Sequence, residues 1–304
     1  MVFPGQGSQS LGMQADLAGE YPVVQATYAE ASEVLGYDLW QLVQDGPEER
    51  LGETVVTQPA MLAAGVAAYR VWQAAGGQTP SCAAGHSLGE YTALVCGNAI
   101  SFADALKVVK RRSELMQGAV PVGVGAMAAI IGLDDDAIRA VCDEASGIGV
   151  AEPVNFNSPG QVVIAGHKKA LQRAIERAQA SGARRAIMLP VSVPSHSSLM
   201  IEAGNALAEI LDETSFKTPD IDVFNATHAE PYEDGEGIRR HLSKQVYSPV
   251  QWVDTVTAMV NAGATTIIEC GPGRVLAGLS RRISKGTAIA SIDSLAGLEK
   301  ALAA

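Results

Sequence analysis

Aromatic residues make up only 5% of this 304-residue chain, and cysteine occupies four positions, Cys82, Cys96, Cys142 and Cys270. No two of these have C-x-x-C spacing and three sit in apolar runs, so neither a disulfide framework nor a metal site is expected. They read as reduced core thiols, not as nucleophiles. There is no uninterrupted apolar window of about 18 residues, and no basic segment followed by a hydrophobic run at the start. No membrane span or signal peptide is therefore expected, which places the chain in the cytoplasm. Basic charge is also scarce, with 22 Lys and Arg against 33 Asp and Glu and a net charge of -11. That balance argues against nucleic acid as a partner, since phosphate binding needs a cationic footprint. Any anionic partner must use a local patch. Lys168-Lys169, Arg184-Arg185, Arg239-Arg240 and Arg281-Arg282 with Lys285 are the candidates, although solvated surface is the favoured reading of each pair.

What is present is a hydrophobic content of 47%, enough for a large core. Its most informative stretch is Gly85-His86-Ser87-Leu88-Gly89, a G-x-S-x-G pattern between the short small-residue run Ser81 to Ala84 and a helix-like Tyr91 to Cys96. Strand, tight turn and helix in that order hold a serine hydroxyl proud of the backbone beside a helix N-terminus. That is a setting for a nucleophile. Before it, Val2-Phe3 reads as the end of a strand leading into the glycine-rich Pro4 to Gln9. Helices are expected from Pro22 to Val34 and from Pro59 to the Gly76-Gly77 stop. After it, Ser101 caps a helix to about Gln117.

From Gly125 the pattern becomes β-α-β-β-α-β: strand 126–131, helix 134–145, strands 150–157 and 161–165, helix 168–181, and a strand from about Ala186 to Val193. This is the ferredoxin-like order. An α/β alternation resumes with helix 198–211, strand 223–225, helices through Leu242 and Val256, strand 265–269 and helix 275–283. The expected fold is α/β, a large catalytic domain of 1–119 and 194–304 interrupted by a small ferredoxin-like domain of 120–193. A single body with one insert suggests a monomer.

Two further residues bear on chemistry. Arg112 lies on the apolar stripe of its helix with Ala105, Val108, Val109 and Met116, so it points inward, where a permanent charge needs a partner. It could bind a substrate carboxylate through two parallel hydrogen bonds, or make a structural ion pair with a core-edge acid. Of five histidines, His196 follows an apolar strand in Ser195-His196-Ser197 and is the candidate general base, with a satisfied core histidine as the alternative. No acid is evident as a third triad member between Ser87 and His196, which weakens a hydrolase reading. An amide or carbonyl from Gln245 or Asn225 could orient the base instead.

The segments Phe3 to Gln9, Thr57 to Ala60, Gly85 to Glu90, Val154 to Pro159, Pro194 to His196, Tyr247 to Val250 and Glu269 to Gly273 recur in order along nearly the whole chain. Together they resemble the malonyl-CoA:acyl carrier protein transacylases of bacterial fatty-acid synthesis. Relative to that family the first strand is a few residues short. The resemblance implies an α/β-hydrolase-like large domain with an inserted ferredoxin-like small domain and a cleft between them. It implies Ser87 as the acylated nucleophile, His196 as base, Gln245 as the residue whose carbonyl orients the histidine, and backbone N–H groups of Gln6 and Leu88 as the oxyanion hole. Arg112 would bind the malonyl carboxylate. The partners implied are malonyl-CoA and an acyl carrier protein, with no cofactor. A serine esterase or thioesterase, and a non-catalytic module that binds carrier protein, are the rival readings.

Overall fold

The computed structural model describes residues 1–191 and 193–304. Its strands are β1 (Val2–Phe3), β2 (Cys82–Gly85), β3 (Gly125–Ile131), β4 (Ala151–Ser158), β5 (Gln161–His167), β6 (Arg185–Met188), β7 (Asp222–Phe224), β8 (Thr266–Cys270) and β9 (Ala288–Ile292). They form two sheets. The first has order β7-β2-β1-β8-β9 with every neighbouring pair parallel. The neighbouring strands β1 and β2 are short and buried throughout, which is why Cys82 to Gly85 reads as a run of small residues without alternation. The second sheet, β4-β5-β3-β6, is antiparallel with two helices packed against it, the ferredoxin-like arrangement.

The chain passes from β2 into the helix Gly89–Cys96 at a separation that only glycine permits. A Cβ on Gly85 would stand 1.8 Å from the Gly89 carbonyl carbon, and one on Gly89 would stand 2.0 Å from the Phe3 carbonyl oxygen. Both glycines of the sequence pattern are thus space requirements of the crossing between β1, β2 and the helix. All four cysteines are free and buried. Among the described residues there is no cluster of three metal-ligating side chains and no helix long and apolar enough to cross a membrane.

Two of the expected elements have other bounds in the fold. The helix placed at Pro59 begins at Thr54 and runs to Ala74, with Pro59 inside it. An interior proline costs about 3 kcal/mol, but most of this helix is buried, and packing outweighs one lost hydrogen bond. The strand expected to reach Val193 ends at Met188; Pro190 has no N–H to continue the ladder to β3, and Ser192 lies outside the described residues. The cap expected at Ser101 is present, its hydroxyl accepting the Asp104 N–H at 3.0 Å, and Asp134 likewise accepts the Ala137 N–H at 2.8 Å at the start of its helix.

Strand β4 ties the second sheet to the segment just before helix Trp252–Asn261. Phe156 N donates to Val250 O at 2.9 Å and Val250 N to Val154 O at 2.8 Å. The Glu152 carboxylate accepts both the N–H and the hydroxyl of Ser198 at 2.7 Å each. These contacts fix the segment 248–250 and the turn after residue 196, which is what matters for the site.

Candidate active site

The carboxyl ends of β1 and β2 open on a cavity of about 600 Å³ walled by turn and helix residues that include Gln6, Ser87, Leu88, Arg112 and His196, and by residues of the second sheet such as Asn157. Open parallel sheets place their sites at this edge because the strand-to-helix turns gather there. Ser87 occupies the turn after β2 with φ +53°, a left-handed conformation that costs a non-glycine residue about 1 kcal/mol or more. Backbone bonds from Gly89 N to His86 O and from Glu90 N to Ser87 O hold it there. His196 has φ +67° and is fixed by its own N–H to Val246 O at 2.8 Å. Among the described residues only five non-glycine residues have positive φ, and these two are among them.

The strain has a geometric result. Ser87 Oγ donates to His196 Nε2 at 2.7 Å, and His196 Nδ1 donates to the main-chain carbonyls of Gln245 at 2.8 Å and Ser248 at 3.1 Å. Two carbonyl acceptors set the Nε2-unprotonated tautomer without a carboxylate, so the missing triad acid is replaced by backbone. Asn225, the other candidate orienter, is used elsewhere: its amide accepts His228 N and donates to Glu230 O, shaping its own turn. Burial, with the Arg112 charge adding to it, pushes His196 down to about 3. The imidazole is therefore neutral and ready to accept a proton across the working range. Expected from this is a kcat/KM for serine acylation that stays level from about pH 8 down to about pH 5, since kcat/KM reports the free enzyme. A break near the ordinary histidine value of about 6.5 in a stopped-flow pH series would contradict it.

Arg112 is 1% exposed, as its helical periodicity implies. Its partners are no acid but two amides and the nucleophile: Nη1 donates to Gln58 Oε1 at 2.6 Å, and Nη2 to Gln245 Oε1 at 2.9 Å and Ser87 Oγ at 3.2 Å. Tyr91 lies with its ring centroid 5.6 Å from the guanidinium carbon, and Nε has no partner among the described residues. Burial lowers the pKa of the guanidinium, but arginine starts so far above neutrality that it stays a cation. A cation held beside a nucleophile by neutral groups alone is a seat for a substrate anion.

Neither Gln6 N nor Leu88 N donates to any described residue. The two backbones are adjacent, since a Cβ on Gly5 would lie 3.8 Å from Leu88 N. Two free N–H groups beside a serine hydroxyl, one at a helix N-terminus, are the equipment for an oxyanion.

None of the remaining histidines touches Ser87 Oγ or His196 through a hydrogen bond among the described residues, although His86 lines the cavity. His86 turns away from Ser87, pairing through Nε2 with Asn157 Oδ1 at 2.8 Å, and His167 Nδ1 accepts the Val150 N–H. His228 and His241 lie against each other at an interplanar angle of 58°, with centroids 5.3 Å apart. Gln58, Ser248 and Glu90 take part in the site without having been assigned roles from sequence. For Gln58 and Glu90 a signal existed: each is a long polar side chain in a mainly apolar helical run.

A strained serine on a strand-to-helix turn, a neutral histidine in hydrogen-bond contact and paired backbone donors define a serine enzyme that works through an acyl intermediate. Residues 1–300 match the acyl transferase domain family. The chain belongs to that family. It is 52% identical to the malonyl CoA-acyl carrier protein transacylase of Escherichia coli strain K12, over 99% of this chain and 97% of that one. Among solved structures, an acyl carrier protein S-malonyltransferase from Vibrio cholerae superposes with a TM-score of 0.95 at 54% identity, covering 98% of both chains. A malonyl-transacylase in complex with its holo type II PKS acyl-carrier protein superposes with a TM-score of 0.98 at 53% identity, covering 100% of this chain and 98% of that one.

Proposed function

We propose that this enzyme moves a malonyl group from malonyl-CoA to the phosphopantetheine thiol of an acyl carrier protein through a malonyl-serine ester. The observation that carries this is the buried Arg112, whose guanidinium lies 3.2 Å from the nucleophile and has no acid of its own as hydrogen-bond partner. A thioester substrate with a carboxylate at its far end meets both groups at once. In the first half-reaction His196 takes the Ser87 proton as Oγ attacks the thioester carbonyl. The oxyanion rests on the Gln6 and Leu88 N–H groups until CoA leaves as its thiol, taking the proton from His196. In the second half the carrier's thiol gives its proton to His196 and attacks the ester, and the proton returns to Ser87. Kinetics are ping-pong. Exchange of thioester for ester and back is redox-neutral, so the reaction calls for no cofactor. Residues 120–193 form an inserted unit over a catalytic body of 1–119 and 194–304, and the enzyme works as a cytoplasmic monomer in fatty-acid synthesis.

The test is an intact-mass measurement after mixing with malonyl-CoA and then with holo acyl carrier protein. A single malonyl adduct that persists in water, is discharged by carrier protein and is absent from Ser87→Ala supports transfer. Loss of the adduct to water points to a thioesterase, and its absence from folded protein to a non-catalytic binding module.

An acidic carrier must approach a chain of like charge, so docking needs local cations. Arg281, Arg282 and Lys285 are exposed at the end of helix Val275–Ile283, whose Val275 and Leu279 line the cavity. Arg282 Nη1 also donates to Gln161 Oε1 at 2.5 Å, across to the other wall. Lys168 and Lys169 do not line the cavity. Reversing Arg281 and Arg282 to Glu is expected to raise the KM for carrier protein and flatten its salt dependence. An unaltered salt response would remove this patch from consideration.

A further inference from the structure

The helix that follows the nucleophile carries one acid, Glu90, and the mechanism above leaves it without a task. It is 1% exposed. Three donors face its carboxyl group: the Tyr232 hydroxyl, Gln245 Nε2 at 2.8 Å and the Ala226 N–H at 3.3 Å. The same Gln245 Nε2 donates to Ser87 O at 2.9 Å, which turns its Oε1 toward Arg112 at 2.9 Å. The side-chain amide of Gln245 thus stands between a buried carboxyl and a buried guanidinium, touching both.

We propose that Glu90 sets how tightly the site holds an acyl carboxylate, as the counter-ion of Arg112 at one remove with the Gln245 amide between them. This rests on the malonyl-transfer reading. A buried acid in direct contact with Arg112 would have to be displaced by each incoming malonyl group. A guanidinium with no counter-charge at all would hold the malonyl group in substrate, intermediate and product alike, which lowers KM without helping turnover. An anion behind an amide avoids both outcomes. It offsets the charge of Arg112 and leaves the face toward Ser87 open. Burial raises the Glu90 pKa on balance, against the hydrogen bonds from Tyr232, Gln245 and Ala226 that lower it; the Gln245 Nε2 and Ala226 N–H groups can only donate, and it is the carboxylate anion that such contacts favour. Glu90 touches no reacting atom and is a positioning residue.

The test uses Glu90→Gln, which removes the charge and keeps the shape. The glutamine oxygen can still accept from Gln245 and Ala226 while its amide donates to the Tyr232 oxygen. Calorimetric binding of malonyl-CoA and acetyl-CoA is compared in Ser87→Ala and in Ser87→Ala with Glu90→Gln, so that no acylation occurs. Removing a like charge from a poorly screened site is expected to tighten malonyl-CoA binding about tenfold, with acetyl-CoA unaltered. A shift shared by both esters marks a purely structural role and overturns the proposal, as does an unaltered or weaker malonyl-CoA affinity. Should Glu90→Gln not fold, Tyr232→Phe takes one donor from the carboxylate and is expected to act in the same direction by a smaller factor; no differential shift there has the same negative meaning. Loss of all preference for malonyl-CoA in Ser87→Ala alone would instead sink the transfer reading, and this proposal with it.

Discussion

His196→Ala is expected to form the malonyl-serine ester about 10²- to 10⁴-fold more slowly than the parent enzyme, the usual contribution of a positioned general base. The Ser87 hydroxyl would lose the acceptor that lies 2.7 Å away and keep a guanidinium neighbour that donates to it. The free N–H groups of Gln6 and Leu88 survive the substitution, so the residual rate should still exceed that of the thioester in water. Each half-reaction is the other run backwards with a different thiol, and in both the serine oxygen must exchange a proton. Discharge to carrier protein should therefore fall along with acylation. Quenched-flow intact masses resolve the two steps, and an undiminished acylation rate would show that another group takes the proton.

The β-α-β-β-α-β order of the second sheet and the strand, turn and helix around Ser87 were legible because their signals are local, whereas the pairing of Ser87 with His196, 109 residues away, came from the family resemblance. Glycine spacing around a serine, a capped helix such as 102–118 and the period change at Gly125 each lie within a few residues. Strand β9 and the last helix, Leu295–Leu302, were not read from sequence, although Ala288 to Ile292 pairs in parallel with β8 along its whole length. A parallel partner more than fifteen residues away leaves no hairpin signal. The start of the helix at Thr54 was hidden for another reason: proline is favoured at a first turn, and tertiary burial overrode that preference. In the site, the inward aim of Arg112 followed from periodicity, but its partners did not. Gln58 and Gln245 lie 54 and 133 residues away, and no spacing rule links a side chain to an acceptor at such separation. The backbone acceptors of His196 are hidden more deeply still, since every residue carries a carbonyl and only the fold says which one is aimed.

Arg112→Ala should have the largest effect on selectivity, and two consequences of opposite sign compete in it. Removing the guanidinium takes away the partner of the malonyl carboxylate, at a cost of about 2–5 kcal/mol for a desolvated charge pair. It also removes a cation that, after burial, is the main influence holding His196 low, which makes the imidazole a stronger base toward any ester. For acetyl-CoA only the second consequence applies, because there is no carboxylate to lose. For malonyl-CoA the first dominates, since the bound carboxylate already offsets the Arg112 charge in the parent complex and leaves little basicity to regain. Malonyl acylation is expected to fall by about 30-fold to several thousandfold, while acetyl acylation holds or rises. Parallel intact-mass time courses with the two CoA esters give the ratio directly. If the ratio of malonyl to acetyl transfer is unaltered, the cation is a structural part of the core and the site must read its substrate by other means. A collapsed ratio would mean that one buried charge both selects the acyl group and, once neutralised by it, releases the base that the chemistry needs.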